Sequence, residues 1–209
     1  MSWTKINPET YEKLRDGHMA NRRRQFIDRY LFKYKGSALD FGCGTGYDAF
    51  ALANGCHGKD FVGVDTDRDF IDYANKKYQL ENLTFDHTIF NYKPFGIVYS
   101  IDVLHHCHNL NAEIKDIYDN MKNDGIWIVI EPNIMNPYIF WHQAFTKNEE
   151  LFFKGETEKL FRDIGFKIEK KGLFLLIPAS IKKPGKILQM IEKLLEPFIG
   201  GSVYYVLKK

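Results

Sequence analysis

A glycine cluster with an acid in front of it is the strongest chemical signal in the sequence. Residues 40–46 read DFGCGTG, and glycines let a backbone turn sharply and approach a ligand closely. A dinucleotide loop would need its third glycine at position 47, which is Tyr47, and no Gly-Lys-Ser/Thr of a nucleotide phosphate loop follows. Because the Asp40 carboxylate would repel a pyrophosphate and attract a cation, the loop favours a positively charged nucleoside over NAD.

A second acid, Asp65, follows the apolar run FVGV and comes 19 residues after Gly46. A carboxylate at the tip of a strand can accept hydrogen bonds from both hydroxyls of a ribose. The alternative is that Asp65 only starts the next helix. The sequence therefore predicts one of two arrangements. Either Asp40 and Asp65 both belong to a nucleoside site, or Asp40 alone contacts the ligand and Asp65 caps the following helix.

Alternating strand and helix patterns must position these acids. Apolar runs predict strands over 37–41, 61–65, 83–85, 97–101 and 126–130, and amphipathic spacing predicts helices over 47–53, 67–78 and 111–121. This alternation indicates a mostly parallel sheet covered on both faces. The end of the chain adds a helix over 157–163, a strand over 166–174, an amphipathic helix over 187–195 and a strand over 202–207, which predict an antiparallel strand at the sheet edge.

Length and composition indicate one soluble domain. The chain has 209 residues, of which 44% are hydrophobic and 27% charged. We expect an N-terminal helical cap over 1–36, then a domain over 37–209 with lid insertions at about 133–155 and 175–200. We expect a cytoplasmic protein that is monomeric or homodimeric. The three cysteines lack paired spacing, and the sequence shows no signal peptide and no apolar run long enough to span a bilayer.

Charge is divided unevenly along the chain. The formal net charge is only +2, but lysines and arginines concentrate at the two ends and the middle is acidic. Basic ends are compatible with nucleic-acid binding. Chance and solvated helix faces explain the same distribution.

Ordered motifs resemble those of a known family. ALDFGCGTG with GVD after it is similar to the first two motifs of class I S-adenosylmethionine-dependent methyltransferases, and GIVYSIDVLHH and GETEKLFRDIGFKI resemble later segments of that fold. The resemblance implies a Rossmann-like, doubly wound, seven-stranded sheet in an α/β/α sandwich, mostly parallel with an antiparallel C-terminal strand. It also implies S-adenosyl-L-methionine as cofactor and a small-molecule acceptor, as in quinone-biosynthesis methyltransferases and enzymes of lipid or polysaccharide pathways.

The resemblance also implies which residues hold the cofactor. The glycine loop would pass under its methionine part, with Asp40 near the ammonium, Asp65 on the ribose and Thr66 against the adenine. Phe90 stacking on the adenine, or a backbone contact, would replace the acid that the family usually carries, and the end of the fourth strand would line the sulfonium side. The full expected set is Asp40, Gly42, Cys43, Gly44, Gly46, Asp65, Thr66, Phe90, Ser100 and Ile101.

Two histidines after the fourth strand are candidate bases. Methyl transfer from a sulfonium depends mainly on alignment, but a hydroxyl acceptor also needs a base. An imidazole suits that task at neutral pH, and His106 is a better candidate than His105, with packing as the alternative for both. No metal is expected, because contiguous ligands at 105–108 give poor tetrahedral geometry.

Other segments offer acceptor contacts, each with a simpler alternative. Arg22, Arg23 and Arg24 pair with an anionic acceptor or the cofactor carboxylate, or form a solvated face. Lysines at 182, 183, 186 and 193, with leucines nearby, predict an interfacial helix that contacts a lipid-linked acceptor. The alternative is that these leucines belong to the core. Aromatic residues after the fifth strand line an acceptor pocket or pack as a lid: Tyr138, Phe140, Trp141, His142, Phe145, Phe152 and Phe153.

Two other functions stay open. An RNA methyltransferase is compatible with the basic ends, although the fourth strand lacks the Asn/Asp-Pro-Pro-aromatic motif used on base amines. A non-catalytic protein that binds S-adenosylmethionine is the third possibility.

Overall fold

A seven-stranded sheet forms the centre of the computed structural model, which describes residues 7–137, 139–140 and 154–209. The strands lie in the order β3-β2-β1-β4-β5-β7-β6. Their bounds are β1 Ala38–Phe41, β2 Phe61–Val64, β3 Leu83–Asp86, β4 Phe95–Ile101, β5 Met121–Pro132, β6 Lys167–Phe174 and β7 Ser202–Lys208.

Strands β1 to β5 run parallel, and β7 pairs antiparallel with both β5 and β6. The expected fold class is therefore confirmed, including the antiparallel C-terminal strand. Its expected place at the sheet edge is wrong, because β7 lies between β5 and β6. The sequence KIEKKGLF of β6 keeps its charged residues exposed, as suits an edge, whereas β7 is buried along most of its length.

Helices cover both faces of the sheet, so the strands divide their side chains between two cores. Along β4, Ile97, Tyr99 and Ile101 enter one core, while Phe95 and Val98 enter the other. The first core is closed by α2, α3 and α4, and the second by α5 and α6. The helices are α1 Pro8–Arg15, α2 His18–Leu31, α3 Tyr47–Gly55, α4 Arg68–Lys77, α5 Leu110–Asp119, α6 Lys154–Ile164 and α7 Lys186–Ile199, with a 3₁₀ turn at Leu104–His106.

Three consecutive arginines on α2 reach three different elements. Successive helix residues point about 100° apart, so Arg22 faces α7, Arg23 faces the turn after β4 and Arg24 faces α3. Arg23 and Arg24 are buried, and all three guanidinium groups pair with carboxylates of the chain. The alternative of a solvated arginine face is therefore wrong.

Helix α7 docks on the domain through a buried carboxylate. The side chain of Glu192 has no solvent exposure, and its Oε2 accepts hydrogen bonds from Arg22 at 2.6 Å and lies 2.7 Å from His18 Nε2. Its Oε1 accepts from the backbone N–H groups of Leu176 and Ile177. Burial alone would raise the pKa of Glu192, but these partners hold the pKa below its ordinary value.

Glu192→Gln tests this attachment. We expect the free energy of unfolding to fall by about 3 kcal/mol, because the substitution breaks a buried ion pair and leaves the Arg22 guanidinium with Glu196 alone. Urea unfolding at neutral pH measures the change. Since folding lowers the pKa of Glu192, its stabilisation is present above the unfolded carboxyl pKa of about 4.3 and is lost as the pH falls through the folded value.

The two proteins should therefore converge in stability at acid pH. Lys193→Gln is the matched control on the same helix, because Lys193 is exposed, and its stability should stay near that of the wild type. Equal stability of Glu192→Gln and wild type at neutral pH would contradict the role of Glu192.

Candidate active site

The glycine loop between β1 and α3 has a backbone that other residues rarely adopt. Gly42, Gly44 and Gly46 have φ of 75°, 53° and 78°, in the left-handed region. A Cβ atom at position 46 would lie 2.5 Å from the Phe85 ring, and one at position 42 would overlap Val103. The loop therefore needs these glycines both for its turn and for its close packing.

Asp65, at the carboxyl end of β2, fixes the shape of this loop. Its Oδ2 accepts a hydrogen bond from Gly44 N at 2.7 Å, and its Oδ1 accepts from Asp67 N at 2.9 Å. The cap of α4 is Asp67, whose Oδ1 accepts from the N–H groups of residues 69 and 70. Asp65 is thus more than a helix start, and burial raises the pKa of its carboxyl group.

Asp40 carries a buried carboxylate with an unused oxygen. Asp40 is 3% exposed, and its Oδ2 has no hydrogen-bond partner. The hydroxyl of Tyr99, opposite Asp40 on the neighbouring strand, forms no hydrogen bond of normal geometry either, but it lies close enough to Asp40 to oppose the rise in the pKa of that carboxyl group. Burial, and then the charges of Asp48 and Asp65, raise the pKa of Asp40 well above its ordinary value. Buried polar atoms are normally paired, so this oxygen marks a place for a donor or a cation.

A narrow, open cleft lies at these residues. It lies at the carboxyl ends of β1 and β4, where the strand order reverses, which is where open α/β sheets bind ligands. Its lining residues are Tyr11, Arg15, Asp40, Gly42, Cys43, Gly44, Thr45, Tyr47, Asp48 and Ile101.

Helix α1 covers the cleft with two side chains that the sequence reasoning did not assign to the site. The Tyr11 ring lies 3.3 Å from the place of a Cβ atom on Gly44, and Arg15 Nη2 donates to the backbone oxygen of Ile101 at 3.4 Å. Asn7 caps this helix and Pro8 is its first residue. That start signal, with Tyr11 and Arg15 four residues apart on one face, was available in the sequence.

Asp102 joins the cover to the end of β4. It has a φ of 55°, a left-handed conformation that Asp tolerates better than most residues. Its carboxylate pairs with Arg15 at 3.2 Å and with Arg23 at 2.8 Å. Burial by itself would raise the pKa of Asp102, but the Arg23 and Arg15 guanidinium groups hold the pKa below its ordinary value.

The two candidate bases occupy different environments. His105 is buried, and its Nδ1 lies 2.7 Å from Glu131 Oε2. Glu131 is itself fully buried and accepts the backbone N–H groups of Val103 and Leu104. His106 is exposed, with its ring 3.9 Å from that of His105. Neither histidine lines the cleft, and the sequence reasoning missed Glu131, which holds this turn in place.

The remaining predicted site residues are spread more widely. Cys43 and Ile101 line the cleft, whereas the Ser100 hydroxyl faces the second core and accepts from Trp127 Nε1. Thr66 is exposed, and Phe90 is 67% exposed. Among the described residues, no three His, Cys, Asp or Glu side chains gather as a metal site requires.

The predicted aromatic acceptor residues cannot be located in the same way. Phe140 is described and is partly exposed. The others lie outside the described residues: Tyr138, Trp141, His142, Phe145, Phe152 and Phe153.

Comparisons with known proteins show the family of the chain. A family model described as a methyltransferase domain matches residues 15–171. Over 111 residues the chain is 30% identical to (S)-coclaurine N-methyltransferase of Papaver somniferum, a match that covers 50% of this chain and 32% of that enzyme. The chain thus spans about a third of the length of that relative.

Solved structures share the fold at low sequence identity. A methyltransferase of Haloferax volcanii in complex with the activator Trm112 superposes with a TM-score of 0.65 at 17% identity, covering 91% of each chain. Magnesium protoporphyrin IX methyltransferase of Synechocystis PCC 6803 with bound S-adenosylhomocysteine gives 0.62 at 16% identity, covering 91% of this chain and 83% of that one.

The environment of Cys43 makes a prediction that needs no substrate. Burial, and then the charges of Asp40 and Asp65, raise the pKa of the Cys43 thiol well above its ordinary value, and only the thiolate is a good nucleophile. We expect iodoacetamide at about pH 8 to leave Cys43 unmodified in the folded protein and to modify it in urea. Peptide mass spectrometry measures the modification of Cys43 in the folded and in the unfolded protein. Equal rates of modification in the two states would contradict the raised pKa of the thiol.

Proposed function

We propose that this chain, a member of the methyltransferase domain family, is an S-adenosylmethionine-dependent methyltransferase that methylates a small molecule in the cleft under α1. The relation over residues 15–171 establishes the family. The acceptor class rests on one observation, namely that all the arginines around the cleft are already paired with carboxylates of the chain.

The residues at the glycine loop fit the cofactor. The unpartnered Oδ2 of Asp40 suits the ammonium of its methionine part, because a cation there would satisfy a buried carboxylate. Asp65 retains accepting capacity for ribose hydroxyls beside its bond to Gly44 N.

The chemistry asks little of the protein beyond alignment. Bound S-adenosylmethionine supplies a methyl group already activated on a sulfonium. The chain contributes a rigid glycine loop, a cover that excludes water and a cleft that orients the acceptor. His106, exposed beside the end of β4, is the proposed proton acceptor for a hydroxyl nucleophile, and His105, held by Glu131, is the proposed positioning residue for that turn.

Internal ion pairs argue for a small acceptor over RNA. Binding to a phosphate backbone needs free Lys and Arg side chains on one surface. Arg15 and Arg23 pair with Asp102, Arg24 pairs with Asp48, and Arg22 pairs with glutamates of α7. These four arginines are thus paired inside the molecule, and the same pairs keep the cleft narrow.

Protonation of Asp40 provides the test of the cofactor site. In the free protein its pKa is raised, and a bound ammonium would lower it. Affinity for S-adenosylmethionine should therefore rise with pH through the raised pKa, with release of a proton on binding. The rise ends near about pH 7.5, where the α-amino group of the cofactor begins to lose its own proton.

Calorimetry in buffers of different ionisation enthalpy counts the released protons. Asp40→Asn should abolish the release and weaken binding about tenfold or more. Asp65→Ala should weaken binding by a similar factor while keeping the release, because a ribose is uncharged. Binding without proton release at any pH between about 5 and 7 would remove Asp40 from the ammonium site.

The acceptor proposal is tested by turnover. Purified protein with S-adenosylmethionine is offered phenols, amines, carboxylates and total tRNA, and S-adenosylhomocysteine is measured. We expect turnover with a small molecule and none with tRNA. If the acceptor is a hydroxyl compound, His106→Ala should lower kcat about 100-fold, with loss of the acid limb of the pH profile, and KM should change little.

His108→Ala is the matched control, since His108 is exposed on the same loop and should leave kcat unchanged. Turnover restricted to tRNA would overturn the small-molecule proposal. Unchanged kcat in His106→Ala with a hydroxyl acceptor would show that no base acts from this position.

A further inference from the structure

Helix α7 presents its apolar side chains to solvent. Ile187, Met190, Leu194 and Phe198 are 76%, 71%, 71% and 77% exposed. Glu192 is the buried residue of this helix. Amphipathic helices on globular domains normally turn the apolar stripe inward and the charges outward, so α7 has the opposite orientation.

The exposed side chains form one continuous stripe. Positions 187, 190, 191, 194 and 198 recur at steps of three and four, which places them on one face of the helix. The stripe continues past the end of the helix, because Asn136 Nδ2 donates to Ile199 O at 2.7 Å and the neighbouring Met135 is also exposed. A surface of this size and continuity on a soluble domain marks an interaction site.

The charges around the stripe have a single sign. Lys186 and Lys193 are exposed and lie seven residues apart, about 20° from each other around the helix, along one border of the stripe. The two acids of α7 both point into the domain, where Glu192 and Glu196 bind Arg22. The outward side of α7 is therefore apolar with a cationic border.

An apolar face with a cationic border fits the surface of an anionic bilayer better than it fits a second copy of the chain. A second copy of the chain would bring the same lysines to the contact and no exposed acid of α7 to neutralise them. Lipid phosphates neutralise them directly, while the lysine stems lie along the apolar boundary. With 14 residues, α7 is about 21 Å long and too short to cross a hydrocarbon core of about 30 Å.

We infer that α7 lies in the plane of an anionic membrane surface, with Ile187, Met190, Leu194 and Phe198 at the acyl boundary and Lys186 and Lys193 at the phosphates. Within the part of the chain that the structure describes, no helix has the length and apolarity to span a membrane. The contact is therefore peripheral and reversible, and it stands independently of which acceptor is methylated.

Vesicle flotation of the full chain tests the contact. Vesicles of phosphatidylcholine with about a third phosphatidylglycerol should carry the protein to the top of a gradient, and phosphatidylcholine alone should carry at least tenfold less. Leu194→Ser with Phe198→Ser should abolish flotation without changing thermal stability, because both side chains are exposed. Lys186→Glu with Lys193→Glu should reduce it at least tenfold.

Lys76→Glu with Lys159→Glu is the matched control, because it changes the net charge equally on exposed lysines of α4 and α6. Its flotation should equal that of the wild type. Three results would overturn the inference: wild-type protein left at the bottom with anionic vesicles, flotation that survives the serine pair, or flotation lost equally in the control. Sedimentation velocity showing a dimer that the serine pair dissociates would assign the stripe to a second copy.

Discussion

A buried carboxylate that the chain itself does not satisfy constrains the arrangement around the cleft. Asp40 sits at the end of β1, below the glycine loop, with Asp48 and Asp65 as neighbouring charges. Asp65 is occupied by the loop N–H groups and Asp48 by Arg24, so the free Oδ2 of Asp40 is where a cationic ligand gains most. We propose that the ammonium of the cofactor is this partner.

The same acidic charges explain why α1 and α2 lie over the cleft. Acids at the carboxyl ends of the strands would repel one another without cations, and α1 and α2 supply these as Arg15, Arg23 and Arg24. Each pair is largely buried, so it orients the cover more than it stabilises the fold. A cover attached in this way leaves a narrow cleft, which is consistent with a small acceptor and a water-poor site.

Local patterns in the sequence predicted the strands, the glycine loop and Asp65, because each depends on residues that are near one another in the chain. Arg15 was missed, and so were the contact of Tyr11 with the glycine loop and that of Glu131 with His105, since these contacts join residues 26 to 87 positions apart. The place of β7 was also mispredicted, because the neighbour of this strand depends on the exposed charges of β6, which suit the edge of the sheet. The inverted orientation of α7 is invisible in a pattern that shows amphipathicity without showing which face is inside.

The triplet of arginines on α2 makes that helix a rigid connector among three otherwise separate parts of the molecule. Arg22 holds the C-terminal helix, Arg23 the turn after β4 and Arg24 the start of α3. Because the three side chains leave one rod, a tilt of α2 shifts all three together. A change in the tilt of α2 would therefore alter the width of the cleft and the position of α7 together.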